Sequence, residues 1–428
     1  MSNSNALSSD TLETTISKLY KQDSPKLLSV LTRIFGTHNF ALAEDVLQDA
    51  FAKAWNDWQQ GIPDNPTAWL LTTAKHKAID VIRSQKTKTK FSDDLAYHLE
   101  SEWTLGTTIE EAFTPSKIKD DQLRMIFMCC HESIKPENRI PFILKVLCGF
   151  SIPAIAKALV LPKETIKKRL FRTRKSIATL SFDVPTHESL NQALDTVHTV
   201  LYLVFNEGFH CSDGKEVIQL DLCQDAIGLV GLIVDEPSIA NQETFSLFAL
   251  MHFHIARIES RTGADNVLIP LDLQDRNLWT QAYINTGNQL LSMASSLATT
   301  SNGRFYLEAC IAKEHCNAQS FEDTDWQAIV SLYDKLIQTT GSPIAKLNQA
   351  IAIGYAGNIN EAIKRVETLR KNKLLAHSHM PWAVLAHFHA KFGNSTQAYA
   401  CVEKSKALGG TPQEQNLMLQ QVHRLLNS

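Results

Sequence analysis

Two short helical stretches joined by a proline turn, between Gly149 and Ile177, constrain this chain more than any other segment. The segment reads GFSIPAIAKALVLPKETIKKRLFRTRKSI. Ile152, Ile155, Ala156 and Leu159 share one face of a first short helix. Val160-Leu161-Pro162 interrupts it, because proline disfavours helical geometry at the residue before it and suits the first position of a new helix. The second helix places Ile166, Leu170 and Ile177 inward. Its other faces carry Lys163, Lys167, Lys168, Arg169, Arg172, Arg174 and Lys175 against one acid, Glu164. Stepping about 100° per residue from Ile166 puts Glu164, Lys167, Lys168, Phe171 and Arg172 outward. Two short helices, a tight turn and a basic second helix describe a helix-turn-helix that enters a DNA major groove. A solvated basic helix within a bundle is the plainer reading of the same residues.

The remaining chain repeats the helical period. No segment of useful length alternates as a strand, and no Gly-rich phosphate loop or nucleophile elbow is present, so the expected class is all-α. With 428 residues, two or three domains are expected. No apolar run approaches the roughly 20 residues that span a membrane. The start, Met1 to Asp10, is polar and lacks the basic end and apolar core of a secretory signal, which points to the cytoplasm. Charge divides the chain. Residues 1–184 hold 25 Lys and Arg against 21 Asp and Glu, and residues 185–428 hold 17 against 24. The first half has basic stripes able to meet nucleic acid, and the acidic second half is better suited to a partner or regulator.

Three further stretches of the first half carry polar chemistry on a helical scaffold. Residues 11–35 read as an amphipathic helix whose apolar stripe is broken near Pro25. Ala41 to Trp55 reads as a second, with Leu42, Val46, Leu47, Ala50, Phe51 and Ala54 apolar and Glu44, Asp45, Gln48 and Asp49 along an acidic edge. That edge suits a basic partner helix, or simply solvent. A loop, NDWQQGIPDN, follows, and Pro66 opens a helix over Thr67 to Ser84. There Trp69, Leu70, Ala74, Ala78, Ile79 and Ile82 face inward, and Lys75, His76, Lys77 and Arg83 are polar.

These motifs carry a family resemblance. Gly-Phe-Ser-(x)3-Ile-Ala followed by Leu-Pro-(x)2-Thr-Ile-Lys-(x)-Arg-Leu-(x)-Arg-(x)-Arg resembles the fourth-domain helix-turn-helix of extracytoplasmic-function sigma factors. Ala-Glu-Asp-Val-Leu-Gln-Asp-Ala-Phe-(x)2-Ala-Trp and Ala-Trp-Leu-(x)2-Thr-Ala-(x)3-Ala-Ile-Asp-(x)2-Arg are similar to their second domain. The resemblance implies a bacterial initiation factor whose partners are core RNA polymerase and promoter DNA. It implies −35 reading by Lys163, Glu164, Thr165, Lys167, Lys168, Phe171, Arg172 and Lys175. Lysine can donate to guanine O6 and N7, and an exposed Phe can touch a thymine methyl. It implies polymerase binding at Asp45, Gln48 and Asp49, with Phe51 and Trp55 as core. It implies −10 capture by Trp58, Asn65, Lys75, Lys77 and Arg83; in the loop Trp58 suits stacking on a base, and Gln59, Gln60, Asp64 and Asn65 suit bonding its edge, while Trp69 reads as core. Stacking plus phosphate neutralisation is what single-strand capture requires. Ser84-Gln85 departs from the family, where more arginines are usual.

The eight cysteines are scattered, and Cys129-Cys130-His131 is a poor zinc spacing, so buried free thiols and no metal or cofactor are expected. Tyr202 to Phe209 reads as core capped by Asn206-Glu207-Gly208, without a second positioned carboxylate or base for catalysis by Glu207. The histidine pairs at 252/254, 377/379 and 387/389 sit two apart, on different helix faces. Gly357-Asn358-(x)3-Ala362 recurs as Gly393-Asn394-(x)3-Ala398, and Ala350 matches Ala386. This is close to the helix-turn-helix period of tetratricopeptide repeats, whose concave groove receives a protein or peptide partner.

The expected architecture is therefore two small helical sigma domains, the second with the helix-turn-helix, and a helical-repeat domain. Its parts are 11–84 (core polymerase and −10), an acidic linker at 85–116, 117–182 (−35), a helical extension at 186–320, and tetratricopeptide-like repeats at 325–428. The function implied is that of an alternative sigma factor, not an enzyme, with the extension as built-in regulator. A stand-alone DNA-binding regulator and a helical enzyme remain the alternatives.

Overall fold

The structure is a computed structural model that describes residues 9–85, 108–159, 161–210, 218–263, 268–297, 302–410 and 412–427. Most of the stretch expected as an acidic linker lies outside them. The described chain is all-α. The one pairing of extended backbone among the described residues is the bridge between Thr262 and Leu268. Among the helices described, none is long and apolar enough to cross a membrane. The chain divides into two compact units, Met1–Glu207 and Gly208–Ser428.

The first unit is built on α1 (Ser9–Phe35), which buries Leu12, Leu19, Leu27, Leu28, Leu31 and Phe35. As the single helix expected over 11–35, α1 continues through Pro25. Proline removes one ladder bond and crowds the carbonyl four residues back, that of Lys21. The incoming chain at Gly149 lies against that carbonyl. A Cβ at Gly149 would sit 3.0 Å from the Lys21 oxygen, and Gly149 has φ +66°. Glycine alone fits both demands there.

Gly36, at φ 84°, breaks the chain after α1. Next comes α2 (Phe40–Asp57), with Val46, Leu47, Ala50, Phe51 and Ala54 buried. Proline then opens α3 (Pro66–Gln85), whose Leu70, Ala74, Ala78 and Ile82 are fully buried. Trp69 and Ile79 are half-buried. The sequence places α4 (Pro115–Cys130), α5 (Pro136–Val146), α6 (Ile152–Ala158) and α7 (Lys163–Ile177) after them. Both α4 and α5 pack on α1. Cys129, Cys130 and Cys148 are buried free thiols, and burial pushes the Cys130 thiol up to about 12.

Polar links tie the two halves of this unit. Arg33 on α1 reaches Asp121 on α4 at 3.2 Å. Asp121 is fully buried, and burial pushes its carboxyl up to about 6 against the pull of Arg33. Thr37 Oγ1 donates to the Leu180 carbonyl at 2.6 Å, and the Phe40 and Phe142 rings lie 5.8 Å apart.

Helix α8 (His187–Phe209) runs over the boundary between the units. Its Val204, Phe205 and Phe209 are buried as expected, whereas Leu203 is exposed. The second unit continues with α9 (Leu220–Val234), α10 (Gln242–Ile255), α11 (Gln281–Ser296) and α12 (Arg304–Asn317). A capping box between Asn241 and Thr244 starts α10. The Glu243 carboxylate accepts from the backbone N–H groups of Phe305 and Tyr306, at 2.9 and 3.0 Å, where α12 begins. An anion there matches the positive helix end.

Helix α10 stops at Ile255, and α11 starts only at Gln281. Pro270 and the Asp275 side chain turn the intervening chain into short 3-10 turns, with Asp275 accepting from Asn277 N–H at 2.9 Å. Trp279 anchors this segment. Its indole N–H donates to Ser260 Oγ at 2.8 Å, and Arg276 lies 4.5 Å from its ring centroid. Arg276 also donates to the carbonyls of His315 and Ala318, closing the end of α12.

The final helices are α13 (Trp326–Thr340), α14 (Pro343–Tyr355), α15 (Ile359–Leu369), α16 (Met380–Lys391), α17 (Ser395–Leu408) and α18 (Pro412–Asn427). Each packs on its neighbour in sequence. The sequence repeat maps onto the turns α14–α15 and α16–α17. Gly357 and Gly393 adopt positive φ, 99° and 78°, at the chain reversals. Asn358 and Asn394 cap the following helices by accepting from the N–H three residues on, both at 3.2 Å. Ala350, Ala362, Ala386 and Ala398 are fully buried at the crossings.

Buried histidines make this unit acid-sensitive. Burial holds His210 and His387 down at about 4 and His315 at about 3, and neighbouring arginines add to the effect. The unfolded chain takes up these protons near pH 6.5, but the folded chain does not. Stability is therefore full above about pH 6.5 and is lost as pH falls toward 4. At pH 5 each group costs on the order of 1–2 kcal/mol. Thermal melts should fall steadily from pH 7 to 5, and His387→Gln should flatten the fall. A constant melting temperature over that range would contradict the neutral buried state.

Candidate nucleic-acid interface

The basic helix is positioned by its own buried stripe. Ile166, Leu170, Thr173 and Ile177 on α7 pack into the unit, and α7 rests on α5 and α6. The turn is closed by Leu161 N–H donating to the Ala156 carbonyl at 3.0 Å. Arg169 braces α7 by donating to the Glu137 carbonyl at 2.8 Å. This leaves Lys163, Glu164, Lys167, Lys168, Phe171, Arg172 and Lys175 exposed, with Thr165 half-buried. Phe171 is 58 % exposed, which leaves its ring available on this face.

Within this face two side-chain pairs are preset. Lys167 donates to Glu164 at 2.7 Å, which holds the Glu164 carboxyl below its ordinary range. The Lys175 ammonium sits 4.8 Å from the Phe171 ring centroid, a cation–π arrangement. Arg174 differs from the other cations of α7. Its guanidinium makes a two-point bond to the Glu44 carboxylate on α2, both contacts at 2.6 Å. The wheel places Arg174 on the flank of α7, a hint available in the sequence. Nothing local pointed to Glu44, which lies 130 residues away.

The other expected site residues fall into three groups. Asp45, Gln48 and Asp49 lie exposed on α2, as an acidic edge requires. Asp49 pairs with Lys77 on α3 at 3.2 Å, so these two expected sites sit side by side. Lys75 pairs with Glu110 at 3.0 Å, and Arg83 is exposed on the last turn of α3. The Asn65 side-chain oxygen accepts from Ala68 N–H at 3.0 Å and thus caps α3.

Two aromatic assignments are corrected. Trp58, expected to stack on a base, is only 2 % exposed and meets Trp69 edge-on, with centroids 5.2 Å apart. It follows Ala54 by one helical turn and so prolongs the buried stripe of α2, a signal present in the sequence. Trp55, expected in the core, lies one position off that stripe and is 39 % exposed. Trp69, expected as core, is half-buried.

A braced, surface-lying basic helix behind a short first helix and a tight turn defines a helix-turn-helix DNA-binding protein. Comparison with known proteins sharpens the class. The family profile of sigma-70 region 2 matches residues 19–88, and that of sigma-70, region 4 matches residues 124–177. Residues 193–295 match a family of unknown function, DUF6596. Uncharacterized protein R00370 of Rhizobium meliloti is 29 % identical over 349 residues, covering 81 % of each chain. The ECF RNA polymerase sigma-E factor of Escherichia coli K12 is 29 % identical over 135 residues, 31 % of this chain and 70 % of that protein. The probable ECF RNA polymerase sigma factor SigI of Mycobacterium tuberculosis is 23 % identical over 164 residues, 38 % of this chain. The match spans 54 % of SigI, about half its length. Residues 19–88 and 124–177 thus match regions 2 and 4 of the sigma-70 family, with extracytoplasmic-function sigma factors among the relatives, and a helical extension follows them. These matches support a sigma factor, a protein of transcription initiation.

Proposed function

We propose that this chain is an alternative sigma factor that binds core RNA polymerase and selects promoters through α7. The observation that carries the reading is the outer face of α7, where Lys168, Phe171 and Arg172 stand exposed on a helix braced from behind. Lys163, Glu164, Thr165, Lys167 and Lys175 complete the −35 surface. The acidic edge Asp45, Gln48 and Asp49 docks on the polymerase. Asn65, Lys75, Lys77 and Arg83 line the approach to the −10 strand, without Trp58. The work is cytoplasmic, and the chain supplies no catalytic group, since RNA synthesis is the chemistry of the polymerase.

Run-off transcription with core polymerase, on fragments of the source genome, tests this. Transcripts are expected only when the protein is added. Lys168→Ala and Phe171→Ala should each cost about 1–3 kcal/mol of discrimination against altered −35 sequences. Lys175→Ala should weaken all sequences and also release Phe171, giving a smaller loss of selectivity. Equal effects of all three on matched and scrambled −35 elements would sink the assignment. Tight, specific binding to duplex DNA without polymerase would favour a stand-alone regulator.

The extension is read as the built-in regulator, with tetratricopeptide-like hairpins that meet a protein or peptide partner. Its support is the acidic balance of residues 185–428 and the repeated hairpin turns. A protease site placed within 182–186 allows the chain to be cut after folding. A severalfold change in run-off yield upon cutting is expected, and unchanged yield would remove the regulatory role.

A further inference from the structure

The last helices, with the segment at Pro270–Asp272, line an open cavity of about 370 Å³ within the second unit. Trp326 of α13 and Tyr355 of α14 form its aromatic wall, stacked with centroids 4.8 Å apart at 23°. Phe321 meets both rings edge-on, at 5.1 and 4.9 Å. The Tyr355 hydroxyl and His387 Nε2 share a hydrogen bond of 2.8 Å, and the Lys391 ammonium lies 4.3 Å from the Tyr355 centroid. These contacts fix the wall before any ligand arrives, which lowers the ordering cost of binding.

The lining is largely apolar and carries little net charge. Burial keeps His315 and His387 neutral near pH 7. Asp272, the one acid in the lining, is paired with Arg424 of α18. One lining group is left over. Nδ1 of His315 is buried and makes no hydrogen bond among the described residues, although its ring packs edge-on against Trp326. That atom is sealed from the pocket, so a ligand's hydrogen-bonding edge would instead meet the half-buried amides of the lining, Asn348 and Gln421.

We propose that this cavity is a binding site for a small, planar, uncharged aromatic compound with a hydrogen-bonding group at its edge. The volume lies at the lower end of the range of small-molecule sites, about 300–1,000 Å³, where mostly apolar walls with few polar groups are the rule. A cationic ligand is disfavoured, because Lys391 already occupies a Tyr355 face and Asp272 is already neutralised. A peptide is disfavoured because Pro270, Leu271 and Asp272 already occupy part of the lining, held to α18 by the Asp272–Arg424 pair.

The site is independent of promoter selection and is read by binding alone. The probe is N-phenyl-1-naphthylamine, a neutral fluorophore with a planar naphthalene ring and an N–H at its edge, titrated into the full chain. A saturable rise in emission, with one probe per chain, is expected. Ala383→Phe fills the cavity from a half-buried wall position and should weaken binding by about tenfold or more, with an unchanged circular-dichroism melt. Should that variant melt early, Ile351→Trp fills the same space from another half-buried position. Unsaturable emission, or undiminished affinity in a folded filled variant, would overturn the proposal. So would equally tight binding of the anionic analogue 8-anilino-1-naphthalenesulfonate. Displacement of the probe by a Trp-containing peptide, at concentrations where 1-naphthol fails, would assign the groove to a peptide instead.

Discussion

Trp58→Ala is expected to destabilise the first unit by about 3–5 kcal/mol, the range for removing a buried aromatic side chain. Trp58 is the largest of the side chains that are essentially withdrawn from solvent. It closes the end of α2, where its own N–H donates to the Ala54 carbonyl, and its ring rests on Trp69. In a unit of this size, the loss corresponds to roughly 6–20 °C in melting temperature. Trp58→Phe separates packing from polar effects. The indole Nε1 makes no hydrogen bond among the described residues, so phenylalanine forfeits only volume. It should retain most of the stability. The opposite role, stacking on an unpaired base, predicts something different. Trp58→Ala would then melt like the native chain and fail specifically at opening promoters. Melts of the three proteins, beside run-off assays on normal and pre-opened promoters, distinguish the two. A native-like melt with defective opening would restore Trp58 to the −10 surface.

The misplacement of Trp58 and Trp55 shows what a sequence pattern conveys and what it omits. The helical period located the α2 stripe, because Val46, Leu47, Ala50, Phe51 and Ala54 are neighbours along one helix. A loop began in the sequence where the stripe still had one turn to run, and that single turn reversed the roles of two tryptophans. The outer face of α7 was legible for the same local reason. Ile166, Leu170 and Ile177 fix the helix rotation, and every other direction follows at about 100° per residue. The paired turns at Gly357-Asn358 and Gly393-Asn394 were legible because positive φ and side-chain capping are demands on one or two residues.

Contacts made by distant segments were not legible. Arg174 and Glu44 are separated by 130 residues, and Asp272 and Arg424 by 152. Each of these side chains looks like ordinary surface charge in its own helix or loop. The same holds for the approach of Gly149 to the Lys21 carbonyl, the one that Pro25 leaves without its ladder bond. The aromatic cavity draws its lining from stretches spread between Pro270 and Gln421, so no single window of sequence could announce it.

Gly354→Ala should destabilise the second unit, against the usual sign for this substitution. In an exposed helix interior, alanine gains about 1 kcal/mol over glycine through lower backbone entropy. Gly354 lies inside α14, with ordinary helical geometry, so that gain is available in principle. The space is not. A Cβ there would fall 2.3 Å from Cζ of Phe388 and 3.2 Å from the Ala362 Cβ. Phe388 is fully buried on α16 and cannot swing into solvent. Either α14 and α16 separate or the ring leaves its rotamer, and overpacking of this kind costs typically about 1–3 kcal/mol. The expected net result is a lower melting temperature. Because Phe388 also lines the aromatic cavity, the same variant should bind N-phenyl-1-naphthylamine more weakly at temperatures where it is still folded. Gly228→Ala provides the contrast, since a Cβ on that α9 residue meets nothing within 4 Å. It should melt at or above the native temperature and bind the probe unchanged. If both variants are stabilised alike, α14 and α16 do not approach as closely at Gly354 as the fold requires. The cavity between them would then be looser than its rigid wall implies.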